Sequence, residues 1–151
     1  MRPVTTEVAL HLPSTFDQMN LSQAQDQGIA PWTEMTVDLD SVKVFRDRYP
    51  VTPGHRLFVP AQPTADNITE CFQQAYRYGD ALRSNGGCDG FNVGMNMGAS
   101  AGQTVQYPHV HCIPRRAGDC ADPTGGVRGV IAGQANYHGP DYRNPNGNNN
   151  D

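Results

Sequence analysis

The pattern of apolar and polar positions predicts strands on both sides of one long helix. Between residues 64 and 85, apolar side chains recur every three or four residues, which is a helical period. Alternating or short apolar runs of the kind found in strands occur at residues 35–45, 56–59, 91–95 and 103–113. The first run is broken by Asp40-Ser41 and is predicted to be a hairpin. Together these elements predict an antiparallel α+β domain.

The predicted helix has recognisable ends. Asn67 and Glu70 have the spacing of a capping box, with a start a few residues earlier left open. The run Asn85-Gly86-Gly87 is typical of a helix end. The apolar stripe of this helix is predicted to pack on the sheet and to carry no functional site.

The strand predicted at residues 103–113 carries the candidate chemistry. Side chains of a strand alternate between its faces, so Tyr107, His109 and His111 are predicted to share one side. The two imidazoles then lie about 7 Å apart along the strand. Pro114 is predicted to end it. The preceding small residues, 98–102, allow backbone N–H groups to approach a ligand closely.

Two neighbouring histidines on one strand face suit chemistry at phosphorus. A neutral imidazole is a nucleophile near pH 7 and can form a covalent phosphoramidate. A second imidazole can donate to a phosphoryl oxygen or to the leaving group. Gln103 and Thr104 offer neutral donors for the same oxygens. We therefore take His109 and His111 as candidate catalytic residues rather than as ordinary strand histidines.

Charge and composition argue against several classes of binding partner. The formal net charge is −4 and no basic stripe is visible, which argues against a nucleic-acid polymer as partner. No apolar run approaches the ~20 residues that span a bilayer, so no membrane association is expected. The first residues lack the apolar core of a secretion signal. The four cysteines have no Cys-x-x-Cys spacing, which favours free thiols and a cytoplasmic location, with one disulfide left open.

The residues that flank the two histidines carry a family resemblance. Residues 102–105 read Gly-Gln-Thr-Val and residues 114–119 read Pro-Arg-Arg-Ala-Gly-Asp. This stretch resembles the histidine triad (HIT) superfamily of nucleotide hydrolases and transferases, whose motif is His-φ-His-φ-His-φ-φ with φ apolar. His109 and His111 match the second and third histidines, and Tyr107 stands at the first. The resemblance covers about residues 40–137, and Asp-Pro-Thr-Gly-Gly-Val-Arg at 122–128 is similar to bacterial diadenosine polyphosphate hydrolase-like members.

The resemblance implies roles for three further residues. Asp47 lies before a Pro-Val-Thr-Pro-Gly-His turn that ends at His55, and it corresponds to the residue that binds ribose hydroxyls. A turn cap or an ion pair with a neighbouring arginine is the alternative for Asp47. His55 corresponds to a supporting histidine beside the triad, or it is an ordinary histidine at a strand start. Asn96 corresponds to the amide near the scissile phosphate.

The fold and activity that the resemblance implies are specific. The fold is a HIT-like antiparallel sheet of about five strands with one long helix packed on it. The activity is hydrolysis at the α-phosphorus of a dinucleoside polyphosphate or related nucleotide conjugate through a nucleotidyl-histidine on His109. His111, Gln103, Thr104 and Asn96 stabilise charge, and the main-chain carbonyl of Tyr107 orients the nucleophile.

Other functions stay open on the sequence alone. A nucleotidyl transferase and a catalytically weak nucleotide-binding HIT protein are the first alternatives, because the first triad histidine is Tyr107. A His-x-His metal-binding protein is a further alternative. Arg115 and Arg116 follow the histidines, however, and cations beside a divalent metal are unfavourable. No metal site and no required cofactor are predicted, although a divalent cation can accompany a substrate polyphosphate.

The predicted organisation has three parts. Residues 1–33 form an extension of unknown role, in which Val8, Leu10 and Leu12 alternate like a short strand and Trp32 anchors the segment. Residues 34–138 form the HIT-like nucleotide-binding domain. Residues 139–151 are rich in Asn, Gly, Asp and Pro and are predicted to be a disordered tail. The family resemblance implies a homodimer.

Overall fold

Five antiparallel strands form one sheet in the computed structural model, which describes residues 19–147. Their order across the sheet is β1-β2-β3-β5-β4. The prediction of an α+β fold with about five strands and one long helix is confirmed. The short strand predicted from Val8, Leu10 and Leu12 lies outside the described residues. The strands are β1 Met35–Asp38, β2 Val42–Arg46, β3 Arg56–Pro60, β4 Gly90–Gly94 and β5 Val110–Arg115.

The long helix α2, Ala65–Ser84, covers one face of the sheet. The Thr64 hydroxyl accepts a hydrogen bond from the Asn67 backbone N–H at 3.2 Å. The N-cap is therefore Thr64, three residues before the predicted capping residue Asn67, and Asn85 ends the helix as predicted. Its inner side chains pack on the strands in one apolar cluster that contains Val42, Val44, Phe58, Cys71, Ala75, Val110 and Cys112.

A second apolar cluster lies on the opposite face of the sheet. Asn20 and Gln23 form a capping box that starts a short helix α1, Leu21–Asp26. The segment that follows brings Trp32, 8% exposed, against Phe45 with ring centroids 6.2 Å apart. The cluster consists of Leu21, Ala24, Ala30, Trp32, Phe45, Leu57, Val59 and Tyr107. The N-terminal segment thus packs on the face that carries the histidines.

The inner strand β5 differs from its prediction at both ends. It begins at Val110 rather than at residue 103, because residues 99–101 form a 3-10 turn and the chain stays irregular up to His109. It also continues through Pro114 to Arg115. The Pro114 carbonyl accepts a hydrogen bond from the Thr52 hydroxyl at 2.6 Å, beyond the start of β3. No ladder partner is lost there, so a proline is tolerated.

The chain after β5 runs through turns. A 3-10 turn spans Gly126–Val130, and the Arg128 guanidinium donates to the carbonyls of Ala135 and Gln134. Gln134 and Arg143 exchange hydrogen bonds further along. The predicted division at residues 33 and 139 stays a prediction. In the part of the chain that the structure describes, no helix is both long and apolar enough to cross a membrane.

Candidate active site

A cavity of about 400 Å³ opens on the sheet face that α2 does not cover. That volume lies in the range of small-molecule sites, roughly 300–1,000 Å³. Trp32 and Leu57 give the wall an apolar part. The cavity also brings together six of the residues predicted from sequence: Asp47, Asn96, Gln103, Thr104, His109 and His111.

His109 is held with one ring nitrogen free. Its Nδ1–H donates a hydrogen bond to the Tyr107 carbonyl at 2.8 Å. Nε2 therefore keeps its lone pair, and it has no hydrogen-bond partner among the described residues. Burial lowers the pKa of His109, while the Tyr107 carbonyl and Asp47 oppose that effect. The imidazole is thus neutral near pH 7 and aimed by a main-chain atom, as a nucleophile requires.

A chain of hydrogen bonds fixes the tautomer of His111. The Val51 backbone N–H donates to Nδ1 of His55 at 3.1 Å, so the single proton of a neutral His55 is on Nε2. That Nε2 lies 2.9 Å from Nδ1 of His111 and donates to it. The proton of His111 is then on Nε2. His111 therefore presents a donor to the cavity, whereas His109 presents a lone pair.

Burial keeps these two imidazoles neutral as well. It lowers the pKa of His55, and the charge of Arg56 acts in the same direction, against Asp47. The pKa of His111 falls to about 4 because of burial and the neighbouring His109 and His55, with Asp47 opposing. The tautomers above are therefore those of neutral rings at pH 7.

Asp47 is both a turn cap and a cavity residue. Its Oδ1 accepts a hydrogen bond from the Tyr49 backbone N–H at 2.8 Å, as the turn-cap alternative expects. Its Oδ2 lies 3.5 Å from Nε2 of His55, and the residue lines the cavity. The alternative of an ion pair with a neighbouring arginine is not formed among the described residues. One carboxylate oxygen is thus fixed by the turn, and the other is available to a ligand.

Three metal-ligating groups meet beside the cavity. One atom each of Asp47, His55 and His111 lies within 4.8 Å of the others. A metal would have to bind Nε2 of His55, yet the Val51 N–H makes Nε2 the protonated nitrogen. The three groups as arranged do not fit a metal ion. His109 is not part of this group, so the two histidines of the His-x-His motif do not converge on one ion.

Some polar side chains around the cavity hydrogen-bond to the backbone of a loop, and others have no hydrogen-bond partner in the described chain. Gln103 was predicted to donate to phosphoryl oxygens, but its amide donates to the Val105 and Gln106 carbonyls and accepts from the Gly98 N–H. Its side chain therefore shapes the loop around the cavity, which corrects that expectation. The side chains of Asn96 and Thr104 line the cavity without a hydrogen-bond partner in residues 19–147.

Tyr107 contributes its main chain to the site and its side chain to the core. The phenol donates to the Pro60 carbonyl at 2.6 Å and is 2% exposed. Burial raises the pKa of this hydroxyl, so it stays protonated. The position of the first triad histidine thus supplies the carbonyl that holds His109 and a buried structural hydroxyl.

Two parts of the site are absent from the site residues that the sequence predicts. The Trp32 ring lies 4.8 Å from the His109 ring, centroid to centroid, although the two residues are distant in the chain. Val51 contributes its backbone N–H, which every residue except proline has. The residue type at position 51 therefore does not predict this contact. The Pro31-Trp32 pair is the indication for Trp32 in the sequence, and it predicts an anchor for the N-terminal segment.

Several named proteins are similar to this chain in sequence. A HIT-like protein from Saccharolobus solfataricus is 30% identical over 103 residues, which are 63% of this chain and 70% of that protein. An adenylylsulfatase from Arabidopsis thaliana is 33% identical over 62% of this chain and 51% of its own length. A bis(5'-adenosyl)-triphosphatase from Dictyostelium discoideum is 31% identical over 58% of this chain and 59% of its own length. The chain thus spans between about half and 70% of these relatives.

Solved structures show the same fold. A zinc-bound histidine triad family protein from Mycobacterium smegmatis superposes with a TM-score of 0.54 at 27% identity, covering 58% of this chain and 69% of that one. A HIT family protein from Bacillus anthracis superposes with a TM-score of 0.52 at 28% identity, covering 64% of this chain and 72% of that one. The sequence model of the HIT domain matches residues 32–118, more than half of the chain. With His109 directly before the inner strand and His111 on it, this chain belongs to the HIT family.

Proposed function

We propose that this protein is a nucleotide hydrolase that cleaves at the α-phosphorus of a dinucleoside polyphosphate or related nucleotide conjugate. One observation carries the proposal. His109 lines a cavity of about 400 Å³, and its Nε2 keeps a lone pair while Nδ1–H donates to the Tyr107 carbonyl at 2.8 Å. Relatives named as hydrolases of adenylylated compounds support the same class of reaction.

The first step transfers the nucleotidyl group to the protein. Nε2 of His109 forms a bond to the α-phosphorus, and the bond between that phosphorus and the leaving group breaks. The imidazole becomes positively charged, and the Tyr107 carbonyl stabilises that charge through Nδ1–H. The Nε2–H of His111 donates a hydrogen bond to a phosphoryl oxygen, where negative charge develops.

The second step regenerates the free enzyme. Water attacks the α-phosphorus of the nucleotidyl-histidine, the bond to Nε2 of His109 breaks, and one proton is released to solvent. The product is a nucleoside monophosphate. Neither step needs a metal held by the protein, although a divalent cation can accompany a polyphosphate substrate.

Three other groups position the nucleotide. The free oxygen of Asp47 accepts from the ribose hydroxyls. Asn96 and Thr104 donate to phosphoryl oxygens, since their side chains are otherwise unpartnered in the described chain. Gln103 acts through the loop whose carbonyls it holds.

Assembly and location belong to the same proposal. We expect a homodimer, as the family resemblance implies. All four cysteines are free thiols, which supports a reducing compartment such as the cytoplasm.

The test is incubation with a panel of adenylated compounds followed by chromatography of the products. We expect adenosine monophosphate from wild type and none from His109→Gln, which keeps a polar side chain of similar size. Transfer in place of hydrolysis is recognised by adding inorganic phosphate and looking for adenosine diphosphate. If wild type binds adenosine monophosphate but converts no compound, the protein is a nucleotide-binding relative without this chemistry.

A further inference from the structure

The Trp32 side chain lies directly against the nucleophile. Its ring centroid is 4.8 Å from that of the His109 imidazole, and the two ring planes are inclined at 58°. Both residues are nearly buried, with 8% of Trp32 and 7% of His109 exposed. The indole also lines the active-site cavity. Neither reaction step uses this ring, although it contacts the group that attacks.

Other parts of the fold hold the indole in place. Its ring packs on Phe45 with centroids 6.2 Å apart. It belongs to the apolar cluster that the N-terminal segment forms on the sheet. The Trp32 carbonyl accepts a hydrogen bond from the Gln25 side chain at 3.3 Å, which ties it to helix α1. The position of the indole is therefore set by α1 and the sheet, and His109 packs on a surface that is already fixed.

The imidazole of His109 needs a restraint besides its hydrogen bond. The bond from Nδ1–H to the Tyr107 carbonyl fixes one ring nitrogen, but the ring can still tilt about that bond. The ring torsion of a histidine has broad energy wells, and residue 109 lies just before β5, outside the regular pairing of that strand. The Trp32 ring contacts this imidazole, and so does the His111 ring with centroids 5.1 Å apart. Together the two rings restrict the tilt.

A fixed ring plane matters because attack at phosphorus depends on geometry. The reacting atoms must lie about 3–3.5 Å apart with their orbitals aligned, and a misplacement of ~1 Å can cost ~100-fold in rate. Nε2 of His109 lies across the ring from the hydrogen-bonded nitrogen, so a tilt displaces the attacking atom. The contact with Trp32 therefore acts on the atom that forms the covalent bond.

The indole also keeps water from the imidazole. Burial is the largest cause that lowers the pKa of His109, and the contact with Trp32 supplies part of that burial. Removal of the indole would therefore move the pKa of His109 up toward its ordinary value. Replacing the indole leaves in place the ionisable residues that line the same cavity, which are Glu34, Arg46, Asp47, Arg48, Tyr49 and His111.

We propose that Trp32 is a positioning residue for the nucleophile: it fixes the plane of the His109 ring, so that Nε2 faces the α-phosphorus, and it excludes water from that ring. The inference rests on the proposed function, because it concerns the group that attacks. It adds the N-terminal segment to the parts of the chain on which the rate depends. A Trp32 that only filled the core, or only formed a wall for the nucleotide, would leave the nucleophile unaffected by its replacement.

The first experiment uses the indole as a probe and needs no turnover. Trp32 is the single tryptophan of the chain, so all indole emission comes from beside His109. An imidazolium quenches a neighbouring excited indole more strongly than a neutral imidazole does. We expect emission to fall as the pH is lowered through the pKa of His109, which burial places below 6.5, with circular dichroism confirming an intact fold.

Two histidine variants show whether this signal comes from the nucleophile. The fall in emission should disappear in His109→Gln and persist in His138→Gln, which changes an exposed histidine outside the cavity. The same fall in His109→Gln as in wild type would overturn the inference, because the indole would then not respond to the charge of His109.

The second experiment replaces the indole and follows the pH dependence of kcat/KM for a fluorogenic adenylate. Trp32→Ala should lower kcat about 10–100-fold. It should also move the acid limb of the profile to higher pH, because the base that must be neutral is then hydrated. Trp32→Phe restores an aromatic ring and should recover most of both effects. Where Trp32→Ala does not fold, Trp32→Leu keeps an apolar side chain in the cluster and should show the same two changes.

The matched control is Val59→Ala, which removes buried volume from the same cluster outside the cavity and should change neither kcat nor the profile. An increase in KM alone in the Trp32 variants would make Trp32 a wall of the nucleotide site and overturn the inference. Equal losses in Trp32→Ala and Val59→Ala without a shifted profile would overturn it as well. If wild type converts no substrate, the proposed function fails, and the fluorescence titration shows separately whether Trp32 contacts His109 in solution.

Discussion

The two faces of the sheet have different functions although the same strands form both. The face under α2 is filled by apolar side chains, and Val42, Cys71, Val110 and Cys112 are completely buried. The opposite face carries both buried polar residues of the described chain, His55 and His109. The α2 face therefore serves stability, and the open face combines a core with a polar site.

The open face tolerates buried histidines because each ring has defined partners. The Tyr107 carbonyl accepts a hydrogen bond from Nδ1–H of His109, and the Val51 N–H donates to His55, which in turn donates to His111. A buried polar atom without a partner costs about 1–3 kcal/mol. These contacts avoid that cost and at the same time give the two triad histidines opposite roles.

The largest effect is expected from His109→Ala. Turnover of a fluorogenic adenylate should fall at least ~10³-fold, because no other side chain can form the covalent bond. Binding of adenosine monophosphate should weaken far less, since the ribose and phosphate contacts remain. Equal turnover in wild type and variant would show that the open face does not carry the chemistry.

Asp47→Ala should weaken nucleotide binding by about 1.5–3 kcal/mol, the usual range for a hydrogen bond to a charged group. Calorimetry with adenosine monophosphate measures this, with Asp80→Ala on the exposed side of α2 as control. The loss should vanish when the nucleotide lacks both ribose hydroxyls. Unchanged affinity for the complete nucleotide would remove Asp47 from the site.

On the α2 face, Gly79→Ala should lower the free energy of unfolding by about 1–3 kcal/mol. A Cβ at Gly79 would come within 2.4 Å of the Phe91 ring, so the helix or the ring must move. Urea denaturation measures the loss, and Gln73→Ala at an exposed helix position should change little. Activity per folded molecule should be retained. A loss of activity without a loss of stability would contradict the division between the faces.

The smallest effect is expected at Tyr107. Tyr107→Phe removes the hydroxyl that donates to Pro60 and should cost about 1 kcal/mol of stability. Turnover should change little, because His109 is held by the main-chain carbonyl. Tyr107→His should also change the rate only modestly. Thermal unfolding and hydrolysis assays check both variants, and a large rate change in Tyr107→Phe would give the phenol a role in catalysis.

The elements predicted correctly are those with a local pattern. The hairpin of β1 and β2, the strand β3 and the helix α2 each follow from spacing within a short segment. The start of β5 does not, because the side chain of Gln103 satisfies backbone groups of the preceding loop and replaces strand pairing. The strand continues through Pro114 because it still pairs there with Phe91 of β4, while Thr52, far away in sequence, donates to the Pro114 carbonyl.

The candidate site divides in the same way. Its side chains were identified from residue type and motif, and the cavity brings six of them together. The sequence does not predict which ring nitrogen of each histidine carries the proton, because this depends on the backbone N–H of Val51 and the backbone carbonyl of Tyr107. The contact of Trp32 with His109 arises only when the N-terminal segment packs on the sheet.

The most direct test of the central claim is to trap the covalent intermediate. Wild-type protein mixed with a fast adenylated substrate is denatured in alkali during turnover, digested and examined by mass spectrometry. We expect one adenylyl group on the peptide that contains His109, and none in His109→Gln treated alike. Sustained turnover with no adduct, or an adduct on another residue, would contradict the assignment of His109 as the nucleophile.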